Sequence, residues 1–186
     1  MRRSLLWLTG AALVVAAGIV AAVTPDADAQ HGPFLIGGTA GQEDTSRNLM
    51  IRIDDAVFAD RVTAEDDDWQ AEGNWFVVSL SAAARETEVD TSLRLVKLVV
   101  DGREFVASER PPTSFIGTDL RIGIETSGMV AFELPSDITS GDADLRLSLP
   151  YSTPHLDDVI VVPIDLSEAP REHMIDIVGP SIGEKP

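Results

Sequence analysis

The chain has 186 residues, a formal net charge of -17 and no cysteine. A surface this acidic repels nucleic acid and anionic lipid headgroups, which attract clustered Lys and Arg, so we expect no nucleic-acid partner. Without cysteine there is neither a disulfide nor the thiol that a lipid anchor needs. The length fits one domain that is stabilised by a single hydrophobic core.

Residues 1–24 are predicted to form an amino-terminal hydrophobic helix. Arg2 and Arg3 precede Leu5 to Val23, which contains no charged residue. A helix rises about 1.5 Å per residue, so this run is just long enough for a bilayer core of about 30 Å. Basic residues stay on the cytoplasmic side. The pattern predicts a single-pass transmembrane anchor with its amino terminus inside and the following domain outside the cytoplasm.

The alternative is a signal peptide. Ala27 and Ala29 give the small-x-small form of a cleavage site, and Pro25 would end the helix just before it. Cleavage after Ala29 would release a secreted protein. The apolar run exceeds the usual signal-peptide length of about 7 to 15 residues, which favours retention in the membrane.

Residues 25–47 are rich in Gly, Asp, Thr and Ala and are predicted to be a flexible linker. One short apolar cluster, Phe34 to Ile36, interrupts this composition. It could instead dock on the domain as an edge strand, although so short a run has little surface to bury.

From residue 48 the hydrophobic pattern has a period of two, which is typical of strands. Asp101-Gly102 between apolar runs predicts a type I′ hairpin, and Ser127-Gly128 is interpreted as a second turn. Pro163 favours an edge position for the last strand, because proline donates no ladder hydrogen bond. Strands are predicted at residues 49–54, 74–84, 120–125, 130–134, 145–149 and 159–164, and the two strands of the hairpin lie within residues 93–106.

These patterns predict an all-β fold, an antiparallel β-sandwich of seven to eight strands over residues 48–168. A closed barrel is the alternative, but strands ended by proline favour two packed sheets. Residues 169–186 contain three prolines and little alternation, so they are predicted to be a mobile carboxyl-terminal tail.

Several segments resemble the DUF4352 domain of exported bacterial proteins and its telokin-like relatives. They are Val130 to Pro135, Ala143 to Leu147, the strand at 74–84 and the hairpin around Asp101-Gly102. The resemblance covers about residues 48–166 and implies an immunoglobulin-like sandwich on an exported or membrane-tethered protein, without enzyme activity. Such domains often have an Asn-x-Gly turn after the second strand, and here Ala84 to Glu88 stands in its place.

The sequence offers little material for catalysis. Its three histidines, His31, His155 and His173, fall in the linker, a loop and the tail, where a preorganised base is hard to build. There is no Gly-x-Ser-x-Gly elbow and no phosphate-binding glycine loop. We therefore predict a protein that is not an enzyme and needs no cofactor.

Grouped acidic residues raise the question of a metal site. Asp66, Asp67 and Asp68 in one loop, with Asp157 and Asp158 in another, could supply oxygen ligands to Ca²⁺. Solvated turn residues are the favoured explanation of the same groups, and none matches an EF-hand loop. These aspartates are weak metal candidates.

Two aromatic residues could mark a partner-binding surface. Trp69 follows the acidic loop and Tyr151 lies between two prolines. Exposed aromatic side chains of this kind serve recognition. Trp69 could equally fold back onto the sheet as a lid of the core, and Tyr151 could fill the end of a strand.

Together the features predict a membrane-anchored, extracytoplasmic binding or scaffolding module, with the membrane contacted through the helix and another cell-envelope protein as its partner. The alternative is a secreted carrier that holds Ca²⁺ or a small ligand through its acidic loops.

Overall fold

The computed structural model describes residues 2–23, 32–64, 68–149 and 156–183. The chain divides into two units, residues 1–32 and 33–186. The first unit contains helix α1 (Arg2–Val23), and the side chains described on it, at 7–22, are exposed. Among the described residues, no helix is both long enough and apolar enough to cross a membrane.

The described residues of the second unit form strands of very unequal length. Their bounds are β1 Phe34–Gly37, β2 Glu43–Thr45, β3 Leu49–Ala64, β4 Trp69–Ala84, β5 Leu95–Val100, β6 Arg103–Val106, β7 Thr126–Leu134, β8 Asp142–Ser148, β9 Asp158–Asp165, β10 Arg171–Glu172, β11 Ile175–Asp176 and β12 Ser181–Ile182.

Two sheets pack face to face, which confirms the predicted β-sandwich. The first sheet has the order β1-β9-β8-β5-β6, and the second has the order β10-β3-β4-β7-β12, with β2 and β11 also paired to β3. The long strands pair antiparallel, as predicted. The short terminal strands β1, β10 and β11 run parallel to their neighbours, so the sandwich is mixed rather than purely antiparallel.

The main core lies between the sheets. Alternate residues of each strand point inward, as the period-two pattern requires. Ile51, Phe76 and Phe132 from the second sheet meet Leu98 and Leu145 from the first, and all five are almost fully buried. The apolar alternation in the sequence therefore predicted the inward faces of the central strands.

The predicted hairpin at Asp101-Gly102 is confirmed. It joins β5 to β6, and both turn residues are left-handed, with φ of 49° and 75°. Positive φ at both central positions defines the type I′ turn, which Asp-Gly accepts at low cost.

The predicted linker differs from the structure at its centre. β1 pairs with β9, Gly38 N–H donates to the Val161 carbonyl at 2.8 Å, and Ile36 packs on the main core. The backbone hydrogen bonds between β1 and β9 stabilise the docked strand, in addition to the small apolar surface that it buries. β9 is consequently an interior strand, and its Pro163 lies beyond the end of the β1 register at Val161.

The strand predicted at 120–125 and the turn predicted at Ser127-Gly128 are both wrong. Only isolated bridges occur at residues 121–124, and Ile122 is 47% exposed. Ser127 and Gly128 lie inside β7. A Cβ on Gly128 would lie 2.5 Å from Phe115 Cδ2, so this glycine provides space for an aromatic ring rather than a turn.

The predicted mobile tail is attached to the second sheet through β10, β11 and β12. Ile177 N–H donates to the Thr63 carbonyl at 2.8 Å, and the Ile177 side chain is only 1% exposed. Apolar cover and backbone pairing hold this segment despite its prolines.

Ile177 belongs to a second apolar cluster, which we call the outer cluster. It is separate from the main core and includes outward-facing residues of β3, β4 and β7. Its members are Ala59, Val62, Ala71, Trp75, Val77, Ala131 and Ile177, with Trp69, Met129 and Ile175 packed against them. The second sheet thus has apolar packing on both faces.

Candidate functional site

The candidate site is an open cleft at one end of the sandwich, which we call the end cleft. Its volume is about 640 Å³, within the usual range of about 300 to 1,000 Å³ for small-ligand sites. Its lining comes from the turn before β3, the segment between β4 and β5, and the facing ends of β8 and β9. The lining residues are Arg47, Asn48, Thr87, Val89, Asp90, Arg94, Leu149 and Asp157.

Asn48 fixes one wall of the end cleft. Its Oδ1 accepts hydrogen bonds from the backbone amides of Glu86 and Thr87 at 2.8 and 2.9 Å, and its Nδ2 donates to the Thr87 carbonyl at 3.2 Å. Together with the Arg85 backbone amide, which donates to the Asn48 carbonyl at 3.1 Å, this side chain binds the loop after β4 to the turn before β3. These hydrogen bonds hold this wall of the cleft together.

Arg47 fixes the opposite wall. Its guanidinium pairs with the Asp157 carboxylate, and its backbone amide donates to Asp158 Oδ2 at 2.8 Å. The Asp158 backbone amide donates to Asp157 Oδ1 at 2.9 Å. Both carboxylates therefore have protein partners that would compete with a cation.

The other metal candidates are not assembled around a common point. Asp68 is exposed at a left-handed position with φ of 51°, and Asp66 and Asp67 lie outside the described residues. Across the described ranges, no group of three or more His, Asp or Glu side chains is placed to hold a metal ion. The described aspartates thus act as turn and ion-pair residues.

Arg94 has a different environment from Arg47. It is exposed at the end cleft, and it forms no ion pair with any residue in the described part of the chain. Val89 is 72% exposed in the same cleft, and half-buried Leu149 lies across from it. The end cleft thus combines a guanidinium that has no ion-pair partner among the described residues with the exposed side chain of Val89.

Trp69 does not point into the end cleft. Its ring meets Trp75 edge to face, with centroids 6.4 Å apart and an angle of 82° between the planes. Trp69 is half-buried on the outer cluster, as in the lid alternative. Tyr151 lies outside the described residues.

A second polar group lies on the outward face of the second sheet. Arg52 pairs with Asp54 at 2.8 Å and with Glu125, Asp54 accepts from Ser81 Oγ at 2.7 Å, and Ser81 bonds Ser127 at 2.9 Å. The hydrogen bond to Asp54 raises the pKa of Arg52 above its usual value. Polar side chains whose hydrogen-bonding atoms are partnered by one another in this way usually have a structural role.

Neither serine in that group has a histidine beside it among the described residues. His173 is exposed, and its Nδ1 lies 3.6 Å from Asp60. His31 and His155 lie outside the described residues. The described geometry thus offers an arginine-stabilised hydrogen-bond chain, with Asp54 rather than a histidine as the group that accepts from Ser81.

The sequence analysis did not identify Asn48, Val89 or Arg94. Arg94 alternates with Leu93 and Leu95, which indicated an outward side chain but not its neighbours. Asn48 stands at the predicted start of the sandwich, just before the first strand, and no local pattern linked it to residues 86–87. Their proximity depends on three segments far apart in the chain, so no local pattern could reveal it.

No family model and no curated protein matches the chain. Among solved structures it is similar to an uncharacterized β-sandwich protein from Clostridium difficile 630. The two share 11% sequence identity, the match covers 76% of this chain and 99% of that chain, and the TM-score is 0.45. The sandwich assignment rests on the strand pairing of this chain itself.

Proposed function

We propose that this chain is an extracytoplasmic, non-catalytic binding or scaffolding module that contacts another protein of the cell envelope. One observation carries the proposal: the end cleft presents exposed Val89 beside Arg94, which has no ion-pair partner among the described residues, and hydrogen bonds and an ion pair hold its two walls. Interfaces are enriched in arginine and in apolar contacts at their centre. An isolated surface arginine on a flexible loop would support no such proposal.

The sandwich around the end cleft is suited to presenting a binding surface to another protein. Free strand edges invite aggregation, and this sandwich covers both long edges of its second sheet. β2, β10 and β11 pair with β3, while Ser108 and Phe115 donate to β7 at 2.7 and 2.9 Å. The proposal includes the finer assignment to an immunoglobulin-like, DUF4352-type sandwich, supported by the Val130 to Pro135 strand and the Asp101-Gly102 hairpin.

The proposed location follows from the sequence of the leader. The uncharged run Leu5 to Val23 after Arg2 and Arg3 directs the domain outward under either outcome for the leader. Retention makes the protein a single-pass membrane module, and cleavage after Ala29 makes it a secreted one. Amino-terminal sequencing of the protein from cells, combined with membrane fractionation, separates the two. An intact cytoplasmic protein would contradict the proposed location.

The contact itself is tested by comparing two charge reversals. Arg94→Glu changes the end cleft, and Arg103→Glu makes the same alteration in charge at the start of β6, beyond the far end of β5. After crosslinking in intact cells, a partner recovered with the natural protein and with Arg103→Glu should be lost with Arg94→Glu. Equal recovery with both variants would overturn the assignment of the contact to the end cleft.

A further inference from the structure

The end cleft combines three chemical features in one space. Arg94 supplies a guanidinium without an ion pair to any described residue, exposed Val89 and half-buried Leu149 supply apolar surface, and Asp90 supplies an exposed carboxylate. Asp90, like Arg94, forms no ion pair with another residue in the described ranges. A ligand that fits must satisfy the arginine, cover the apolar side chains and tolerate the aspartate.

We infer that the end cleft binds the carboxyl-terminal residue of a partner polypeptide and that this residue has an apolar side chain. The inference rests on the proposed function. A guanidinium binds a carboxylate through two parallel hydrogen bonds, which gives both direction and affinity. In a terminal residue the carboxylate and the side chain share one carbon atom. Because Arg94, Val89 and Leu149 line one cleft, a terminal residue bound to Arg94 would place its side chain in the space that the two apolar residues line.

The charge of the chain further restricts which ligands can bind. A net charge of -17 repels an extended acidic segment, whereas one terminal carboxylate needs only one local cation. Asp90 in the same cleft disfavours a second carboxylate on the final residue, because like charges brought together raise the free energy of the complex. The end cleft should thus select an apolar terminus and reject an acidic one.

The fixed walls make such binding feasible for a short ligand. Asn48 holds the Glu86 and Thr87 amides, and Arg47 holds Asp157, before any ligand arrives. A preorganised site loses little conformational entropy on binding. A terminal residue with two or three preceding ones is then enough to produce a measurable signal.

The test uses three synthetic peptides and the isotope-labelled full chain in a mild detergent. The peptides are acetyl-Gly-Gly-Leu as the free acid, the same peptide as its carboxamide, and acetyl-Gly-Gly-Asp as the free acid. Saturable NMR shifts at the backbone amides of Asn48, Thr87 and Val89 report binding. We expect the leucine acid to bind at least about tenfold more tightly than either other peptide, the scale of one charged hydrogen bond.

Two variants locate the contact. Arg94→Gln should weaken binding of the leucine acid by about tenfold or more, and the matched Arg103→Gln should leave it unchanged. Unchanged thermal midpoints would show that both variants fold. Equal binding of the acid and the carboxamide would overturn the role of the carboxylate, and equal binding of the aspartate peptide would overturn the selection of an apolar terminus.

The two levels of proposal fail separately. If no peptide shifts these amides while Arg94→Glu still abolishes recovery of the envelope partner, the inference fails and the proposed function stands. If the leucine acid binds through Arg94 but Arg94→Glu leaves partner recovery intact, the peptide specificity holds and the assignment of the envelope contact to this cleft fails.

Discussion

The outer cluster and the end cleft both place apolar side chains away from the main core, but only the cluster covers them. In the outer cluster, Trp75 is fully buried under Trp69 and the tail residue Ile177. In the end cleft, Val89 is 72% exposed, and Arg94 in the same cleft pairs with no charged residue in the described ranges. The carboxyl-terminal segment of the chain covers the outer cluster, whereas no described segment covers the end cleft.

The difference separates stability from binding. Apolar surface covered by the same chain contributes to the free energy of folding, at roughly 25 cal/mol per Å². Apolar surface held open on a fixed frame contributes nothing until another molecule covers it. Substitutions in the outer cluster should therefore change stability, and substitutions in the end cleft should change binding.

The largest expected effect is at Trp75. Trp75→Ala removes a fully buried indole from the outer cluster and should lower the free energy of unfolding by about 3 to 5 kcal/mol, measured by denaturant titration. The control is Trp75→Phe, which keeps most of the ring. Because Trp75 Nε1 has no hydrogen-bond partner in the described chain, Trp75→Phe should lose clearly less. Equal losses would show that the indole volume does not hold this cluster.

A smaller loss is expected in the tail. Ile177→Ala leaves the backbone bond to Thr63 but opens a cavity in the outer cluster, at a cost of about 2 to 4 kcal/mol. The measurement is the thermal midpoint. Val178→Ala, at an exposed neighbour, is the matched control and should leave that midpoint nearly unchanged. A tail that does not contribute to the fold would give two indistinguishable variants.

Asn48→Ala tests the frame of the end cleft. It removes three hydrogen bonds to the 86–87 segment and should cost about 1 to 3 kcal/mol in the free energy of unfolding. The more specific result is faster amide hydrogen exchange at Glu86 and Thr87, with little change at Ala131 in the outer cluster. Uniform acceleration across the domain would indicate global destabilisation instead.

The smallest effect on stability is expected at Arg94. Its exposed side chain has no ion pair within the described residues, so Arg94→Ala should change the free energy of unfolding by less than about 0.5 kcal/mol. Denaturant titration measures it. A loss above about 1 kcal/mol would show that Arg94 has a structural role and would weaken its assignment to binding.

The parts of the fold that local chemistry controls were predictable. The Asp101-Gly102 turn needs residues that accept positive φ, and the central strands alternate apolar and polar residues with a period of two. The predictions were wrong where the same local residue pattern is compatible with two different structures. Gly128 looked like a turn residue, but it makes room for Phe115 within a strand.

The candidate site was less predictable than the fold. Asp157 and Asp158 were identified from their charge, yet their partner Arg47 is 110 positions away from Asp157 in the sequence. Arg94 and Val89 became candidates only when the turn before β3 and the end of β8 were brought beside them. Long-range proximity of this kind leaves no trace in spacing or periodicity.

The sequence by itself determined the acidic charge, the apolar leader, the inward face of each central strand and the β5–β6 hairpin, because each depends on composition or on neighbours within a few residues. Tertiary structure decided which apolar residues are covered. Phe34 to Gly37 and Ile177 become ordered only because a strand edge and an apolar face are already present to receive them. Val89 and Arg94 stay open because no described segment of the chain reaches across them.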